Sequence, residues 1–240
     1  MPAVLVHGVP DTHRVWRALI GRLRRDDVVT LSLPGFGCAV PAGFDCTKEA
    51  YCDWLLGELS RIEGPIDLVG RDWGALLVVR AVSVQPDLVR TWAAGAAPLD
   101  AEYEWHKAAK LWQTPGVGEQ VMEKLTPAAL TSALVAAGVR HAEATLAAEY
   151  ADATMKRSIL ALYRSAIRVG SEWAGDLSRI EAPGLVLWGE NDPYAAPVYG
   201  RRLAARTKAR FVAFAGCSHW WELERSAEVA KELEAFWERA

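Results

Sequence analysis

The stretch Leu68 to Arg80, LVGRDWGALLVVR, carries the residue most able to do chemistry. An apolar run closes at Gly70, and a helix-like run begins at Gly74. The five residues Gly70 to Gly74 therefore form a tight strand-to-helix turn with the G-x-S-x-G pattern, in which Asp72 stands where a serine would be. A serine must lose its proton to a base before it attacks. A carboxylate with a reference pKa of ~3.9 is already ionised at neutral pH. Asp72 is thus the candidate nucleophile.

Three more fragments have the residue types to complete such a site. They are His7-Gly8-Val9-Pro10, the run Gly189-Glu190-Asn191-Asp192-Pro193, and Gly216-Cys217-Ser218-His219-Trp220-Trp221. Each follows a short apolar run, so each falls at the C-terminal end of a strand, where open α/β sheets place their sites. The chain order is nucleophile Asp72, acid Asp192, base His219. Glu190 is the weaker candidate for the acid, and Arg71 reads as a structural or surface charge.

The elements that must position these residues follow from periodicity. Short β-branched runs predict strands at Ala3 to Val6, Val28 to Leu31, Ile66 to Val69, Thr91 to Ala94, Leu185 to Trp188 and Arg210 to Phe214. Amphipathic runs predict helices at about His13 to Arg24, Thr47 to Ile62, Gly74 to Val84, Val198 to Arg206 and Ala227 to Arg239. Alternation of this kind implies a parallel sheet buried on both faces. From about Leu99 to Val169 the composition is helical with no convincing strand. The expected organisation is a core of residues 1–98 and 170–240, interrupted by a helical cap at 99–169.

Composition bounds the partners. The chain has 240 residues, 51% apolar and 24% charged, with a net charge of −3, which suits a globular protein. Its 27 Lys and Arg are outnumbered by 30 Asp and Glu, so no basic footprint invites nucleic acid or acidic lipid. Neither a signal peptide nor a membrane-length apolar run is evident, and the expected compartment is the cytoplasm. Cys38, Cys46, Cys52 and Cys217 lack C-x-x-C spacing and read as thiols, with no metal and no cofactor expected. GFGCAV at Gly35 to Val40 is a turn, too incomplete a glycine pattern to cradle a dinucleotide.

The four strand-end motifs resemble the α/β-hydrolase superfamily, and within it the aspartate-nucleophile branch of epoxide hydrolases and haloalkane dehalogenases. Members usually carry two short strands before the His-Gly strand. Here that strand begins almost at Met1, so about six core strands are expected. The resemblance implies an alkyl ester on Asp72, hydrolysed by a water that His219 activates while Asp192 orients the imidazole. It also implies an oxyanion hole from the backbone N–H groups of Val9 and Trp73, a cis peptide at Pro10, and a pocket bordered by His7, Pro10, Trp112 and Trp220. Trp105 and Trp221 are further candidates for the pocket wall.

The leaving group separates the two activities. A halide needs only N–H donors, whereas an epoxide oxygen leaves as an alkoxide and needs a proton. Val9 has no side-chain donor where dehalogenases commonly carry Asn. Tyr163, in Leu160-Ala161-Leu162-Tyr163-Arg164, resembles the lid tyrosine that protonates epoxides and precedes Asp192 by about thirty residues, as in that family. A second lid donor has no residue at the usual spacing; Tyr103, His106, Tyr150 and Trp112 are candidates. Hydrolysis of an epoxide to a diol is the expected reaction, with haloalkane dehalogenation the alternative. A non-catalytic ligand-binding protein or an esterase is less favoured. The expected partners are a small apolar organic substrate and water, with the protein a monomer or homodimer.

Overall fold

The computed structural model describes residues 1–96 and 99–240. The expected boundary between core and cap, at 98, adjoins residues 97–98, outside the described residues. Six strands form one sheet: β1 Ala3–Val6, β2 Val28–Leu31, β3 Ile66–Arg71, β4 Val89–Gly95, β5 Gly184–Gly189 and β6 Arg210–Phe214. Their order is β2-β1-β3-β4-β5-β6, and every neighbouring pair is parallel. The fold is the six-stranded α/β-hydrolase fold expected from the sequence.

Each strand is short because its apolar run ends in glycine, proline or a polar turn. The pleat then sorts side chains to two faces. Val4, Val6 and Leu68 enter one core cluster, while Ala3, Leu5 and Val69 enter the other. Helices α2 (Lys48–Leu59), α3 (Trp73–Val84) and α10 (Pro197–Thr207) contribute to the first core. The short α1 (Arg17–Ile20), with α11 (Trp221–Glu224) and α12 (Ser226–Trp237), contributes to the second. β1, β3 and β5 are buried along their whole length, whereas β2 and β6, at the edges, are partly open.

The helix expected from His13 to Arg24 is instead a 3₁₀ turn, His13–Trp16, leading into the four residues of α1. Gly21 ends it, and in the polar run to Asp27 the one apolar side chain is Leu23, which is partly buried against the second core. Between β4 and β5 lie α4 (Lys107–Gln113), α5 (Val117–Lys124), α6 (Pro127–Ala136), α7 (His141–Ala148), α8 (Ala153–Ser165) and α9 (Val169–Ala174). Thr126 and Asp152 cap α6 and α8 with side-chain oxygens on the Ala129 and Met155 N–H groups. Among the described residues, no helix is long and apolar enough to cross a membrane.

Candidate active site

Asp72 sits between β3 and α3 with φ 53° and ψ −125°. For a residue with a Cβ this is a strained conformation, held only because the surroundings over-determine it. Two glycines make room. A Cβ on Gly74 would run into the Val6 carbonyl, and one on Gly8 would overlap Asp72 itself. The elbow thus packs against the end of β1 with no side chain between them.

That close approach brings the carboxylate to its partners. Val9 N–H donates to Asp72 Oδ1 at 2.7 Å. The other oxygen, Oδ2, lies 3.4 Å from His219 Nε2. His219, on the loop after β6, has its Nδ1 2.8 Å from Asp192 Oδ2. Asp192, on the loop after β5, is itself fixed, because its Oδ1 accepts from the Tyr194 and Ala195 N–H groups at 2.8 and 3.0 Å. The exposed Glu190 makes no such bond. The structure therefore brings together Asp72, His219, Asp192 and Val9. Trp73 N–H is at the first position of α3, where a helix leaves its donors free. The Val9-Pro10 bond is cis.

Charges in this arrangement stabilise one another. Burial works to raise the Asp72 pKa, but the hydrogen bond and charge of His219, the charge of Arg71 and the Val9 N–H outweigh it, and the carboxyl is held below its ordinary value. Burial works to lower the His219 pKa, yet the charge and hydrogen bond of Asp192, together with Asp72, push it up to about 9. The resting pair is an imidazolium facing a carboxylate.

Asp72 and His219 open on a cavity of about 250 Å³. Pro10, Trp112 and Trp220 border it, with Tyr163 and apolar side chains of α5, α6 and α8. His7 does not line it. Its ring is fully buried beneath the turn, taking the Leu33 N–H on Nε2 at 3.0 Å and pairing Nδ1 with the Gly8 carbonyl at 2.8 Å. Burial lowers its pKa to about 4, so it is a neutral structural bridge. Trp221 is also core, packed on Trp16 with ring centres 6.2 Å apart, and Trp105 stacks on Trp73 beside the nucleophile. Of the candidate second donors, His106 and Trp112 border the cavity. The Tyr103 hydroxyl is engaged by the Tyr194 carbonyl at 3.1 Å, and Tyr150 borders a separate open cleft containing none of the triad.

Two donors face the site. The Trp73 indole N–H is buried, with no partner of good geometry among the described residues. The Tyr163 ring meets that indole edge-on, with centres 5.4 Å apart, and its hydroxyl interacts with the Trp73 N–H. Burial and the Asp72 charge push the Tyr163 phenol well above its ordinary pKa, against a smaller opposing effect of the Trp73 N–H, so it keeps its proton. His106 has a defined tautomer. Its Nδ1 accepts the Ala109 N–H as the N-cap of α4, so the proton of the neutral ring is on Nε2. Burial lowers its pKa to about 4 and keeps it neutral.

Sequence reasoning missed Tyr194, whose ring packs on His219 and on Trp220 with centres 5.0 and 5.9 Å apart. Its place directly after Asp192-Pro193 was the available signal. Arg71, read as a structural or surface charge, is completely buried between Asp11 and Glu222.

With this geometry in place, the comparisons fix the family. The Alpha/beta hydrolase family model matches residues 3–232, and the chain belongs to that family. It is a hydrolase of the α/β fold. It is 24% identical over 216 residues to the (E)-2-((N-methylformamido)methylene)succinate hydrolase of Acinetobacter baylyi, covering 86% of this chain and 78% of that protein. It is 30% identical over 118 residues to a haloalkane dehalogenase of Psychrobacter cryohalolentis, covering 47% of this chain and 39% of the dehalogenase. Among solved structures it is similar to the haloalkane dehalogenase DbeA from Bradyrhizobium elkani (TM-score 0.80, 18% identity, 100% of this chain and 91% of that one). It is also similar to a meta-cleavage product hydrolase from Pseudomonas fluorescens (TM-score 0.82, 17% identity, with the same coverage).

Proposed function

We propose that the protein is an aspartate-nucleophile hydrolase that opens epoxides to vicinal diols, with residues 99–169 serving as a cap over the site. The observation that carries this reading is the placement of a carboxylate, in the position of a serine nucleophile, in one apolar cavity with the Tyr163 phenol. Asp72 Oδ2 attacks an epoxide carbon and the C–O bond of the ring breaks. The departing oxygen takes the Tyr163 proton, aided by hydrogen bonds from neutral donors such as His106 Nε2–H. The product of this step is an ester in which Oδ1 is the carbonyl oxygen, still held by the Val9 N–H.

Esterification removes the Asp72 charge, and with it one of the influences that kept His219 protonated, so His219 gives its proton up to solvent. Neutral His219 then takes a proton from a water whose oxygen adds to the Asp72 Cγ. Oδ1 becomes the oxyanion, stabilised by the N–H groups of Val9 and Trp73. Collapse breaks the Cγ–Oδ2 bond, and the diol leaves with Oδ2 and a proton from His219. Asp72 keeps the oxygen of water and ionises, its remaining proton passing to His219, and solvent returns a proton to Tyr163.

Haloalkane dehalogenation is the second reading. It is supported by the unpaired Trp73 indole N–H, a halide donor in waiting, and by the dehalogenase relative. Against it, Val9 contributes only its backbone N–H, already committed to Asp72. A panel of epoxides and haloalkanes, assayed for diol and free halide, decides between them. Diol formation without halide release supports the first reading, and halide release alone overturns it.

A further inference from the structure

Arg71 immediately precedes the nucleophile and is 0% exposed, an expensive place for a guanidinium unless its partners are charged too. Asp11, from the loop after β1, pairs with its Nη2. Glu222, from α11 and also 0% exposed, lies 3.0 Å from its Nε. The Trp220 ring covers the guanidinium at 5.1 Å and ties itself to the same cluster by donating from Nε1 to Asp11 Oδ2 at 3.1 Å. Trp220 also packs on the His219 ring, with centres 5.0 Å apart. The cluster is thus continuous with the catalytic pair by chain, at Arg71-Asp72, and by contact, at Trp220-His219.

We propose that Arg71, clamped by Asp11 and Glu222, is a positioning residue whose fixed charge limits proton uptake by His219 and keeps Asp72 ionised. This rests on the reading of His219 as base. The cation favours the anionic nucleophile in the resting enzyme. After esterification the Asp72 charge is gone but Arg71 remains, and it favours release of the His219 proton when a base is required. Asp11 and Glu222 set how much of that charge is felt. Glu222 is the adjustable member, since burial raises its pKa to about 7 against the pull of Arg71.

The other charges facing this region are few. Arg71 also feels Asp72, and its charge reaches His7, His219 and Tyr194. His219 faces Asp192, Asp72 and Arg71, and its charge reaches the His106 ring. His7 and His106 are neutral near pH 7, which leaves Arg71 as the one permanent cation acting on His219 in this set.

The test reads His219 directly and needs no substrate, so it stands or falls separately from the proposed reaction. Histidine-labelled protein is titrated by NMR, with the His219 resonance assigned by its loss in His219→Gln. Removing Arg71 alone would let Glu222 take up a proton and mask the lost cation, so Arg71 is changed in a Glu222→Gln background. Glu222→Gln should lower the His219 midpoint by roughly half to one pH unit, since a nearby anion is removed. Adding Arg71→Gln should raise it again by about as much, while adding Arg71→Lys should leave it where Glu222→Gln put it. A purely structural cluster would alter melting temperature without this alternation of sign. Coincident midpoints in all variants overturn the proposal. If the Arg71 variants do not fold, an unmoved midpoint in Glu222→Gln alone does so.

Discussion

His219 Nε2 lies 3.4 Å from Asp72 Oδ2, close enough for charge attraction and longer than a good charged hydrogen bond. The tighter bond of His219, at 2.8 Å, is to Asp192. The histidine is therefore anchored on the acid and more loosely held by the nucleophile. That asymmetry leaves Oδ2 available for attack and lets the histidine change protonation without moving.

The pair carries a pH signature. His219 titrates at about 9 in the folded protein against an ordinary 6.5, so its contribution to stability is full below pH 6.5 and is lost as pH rises through 9. Glu222, raised from 4.5 to about 7, acts in the same sense between those values. His7 and His106, lowered to about 4, act in the opposite sense below pH 6.5, so thermal melts should show declining stability from pH 6.5 to 9, and His219→Gln should flatten that decline. An unchanged slope in that variant would contradict the pairing.

Gly74→Ala should be severely destabilising, by about 3 kcal/mol, because its Cβ would overlap the Val6 carbonyl and neither backbone can yield. Chemical denaturation measures the loss. A variant as stable as the parent would mean that the elbow does not pack on β1 as described.

Tyr163→Phe keeps the ring that packs on Trp73 and Trp112 and deletes the proton donor. Epoxide opening should slow by about 10²-fold to 10⁴-fold, with little change in melting temperature. Haloalkane turnover, if present, should be spared by this change and abolished by Trp73→Phe.

His106→Ser separates capping from chemistry. Serine is a good N-cap, so α4 should lose no more than about 0.5 kcal/mol, while the Nε2–H donor disappears. A slower epoxide opening is the expected outcome, with a lower melt from the lost ring packing on Trp112 and Tyr194, and unaltered kinetics would remove His106 from the leaving-group site.

The sheet was legible because its punctuation is local. β1, β2 and β6 begin and end where the apolar runs do, β3 extends its predicted run by two residues at the C-terminal end, and β4 and β5 extend theirs by one or two residues at both ends. The placement of Asp72, Asp192 and His219 was legible for the same reason, since each sits where a strand stops. What the sequence hid depends on contacts between distant residues. Asp11 and Arg71 are 60 residues apart, and nothing local marks Arg71 as buried rather than exposed. The resemblance implies a place for His7 at the pocket, but its ring turns under the loop to take the Leu33 N–H. The tautomer of His106 follows from its capping bond, a feature of the α4 terminus that periodicity does not reveal.

The central claim is that Asp72 forms an ester whose carbonyl, not the substrate carbon, is attacked by water. A single turnover with an epoxide in heavy-oxygen water, followed by mass analysis of the peptide containing Asp72, tests it most directly. One heavy oxygen should appear in Asp72 and none in the first-turnover diol. Label in the diol with an unlabelled Asp72 would contradict it.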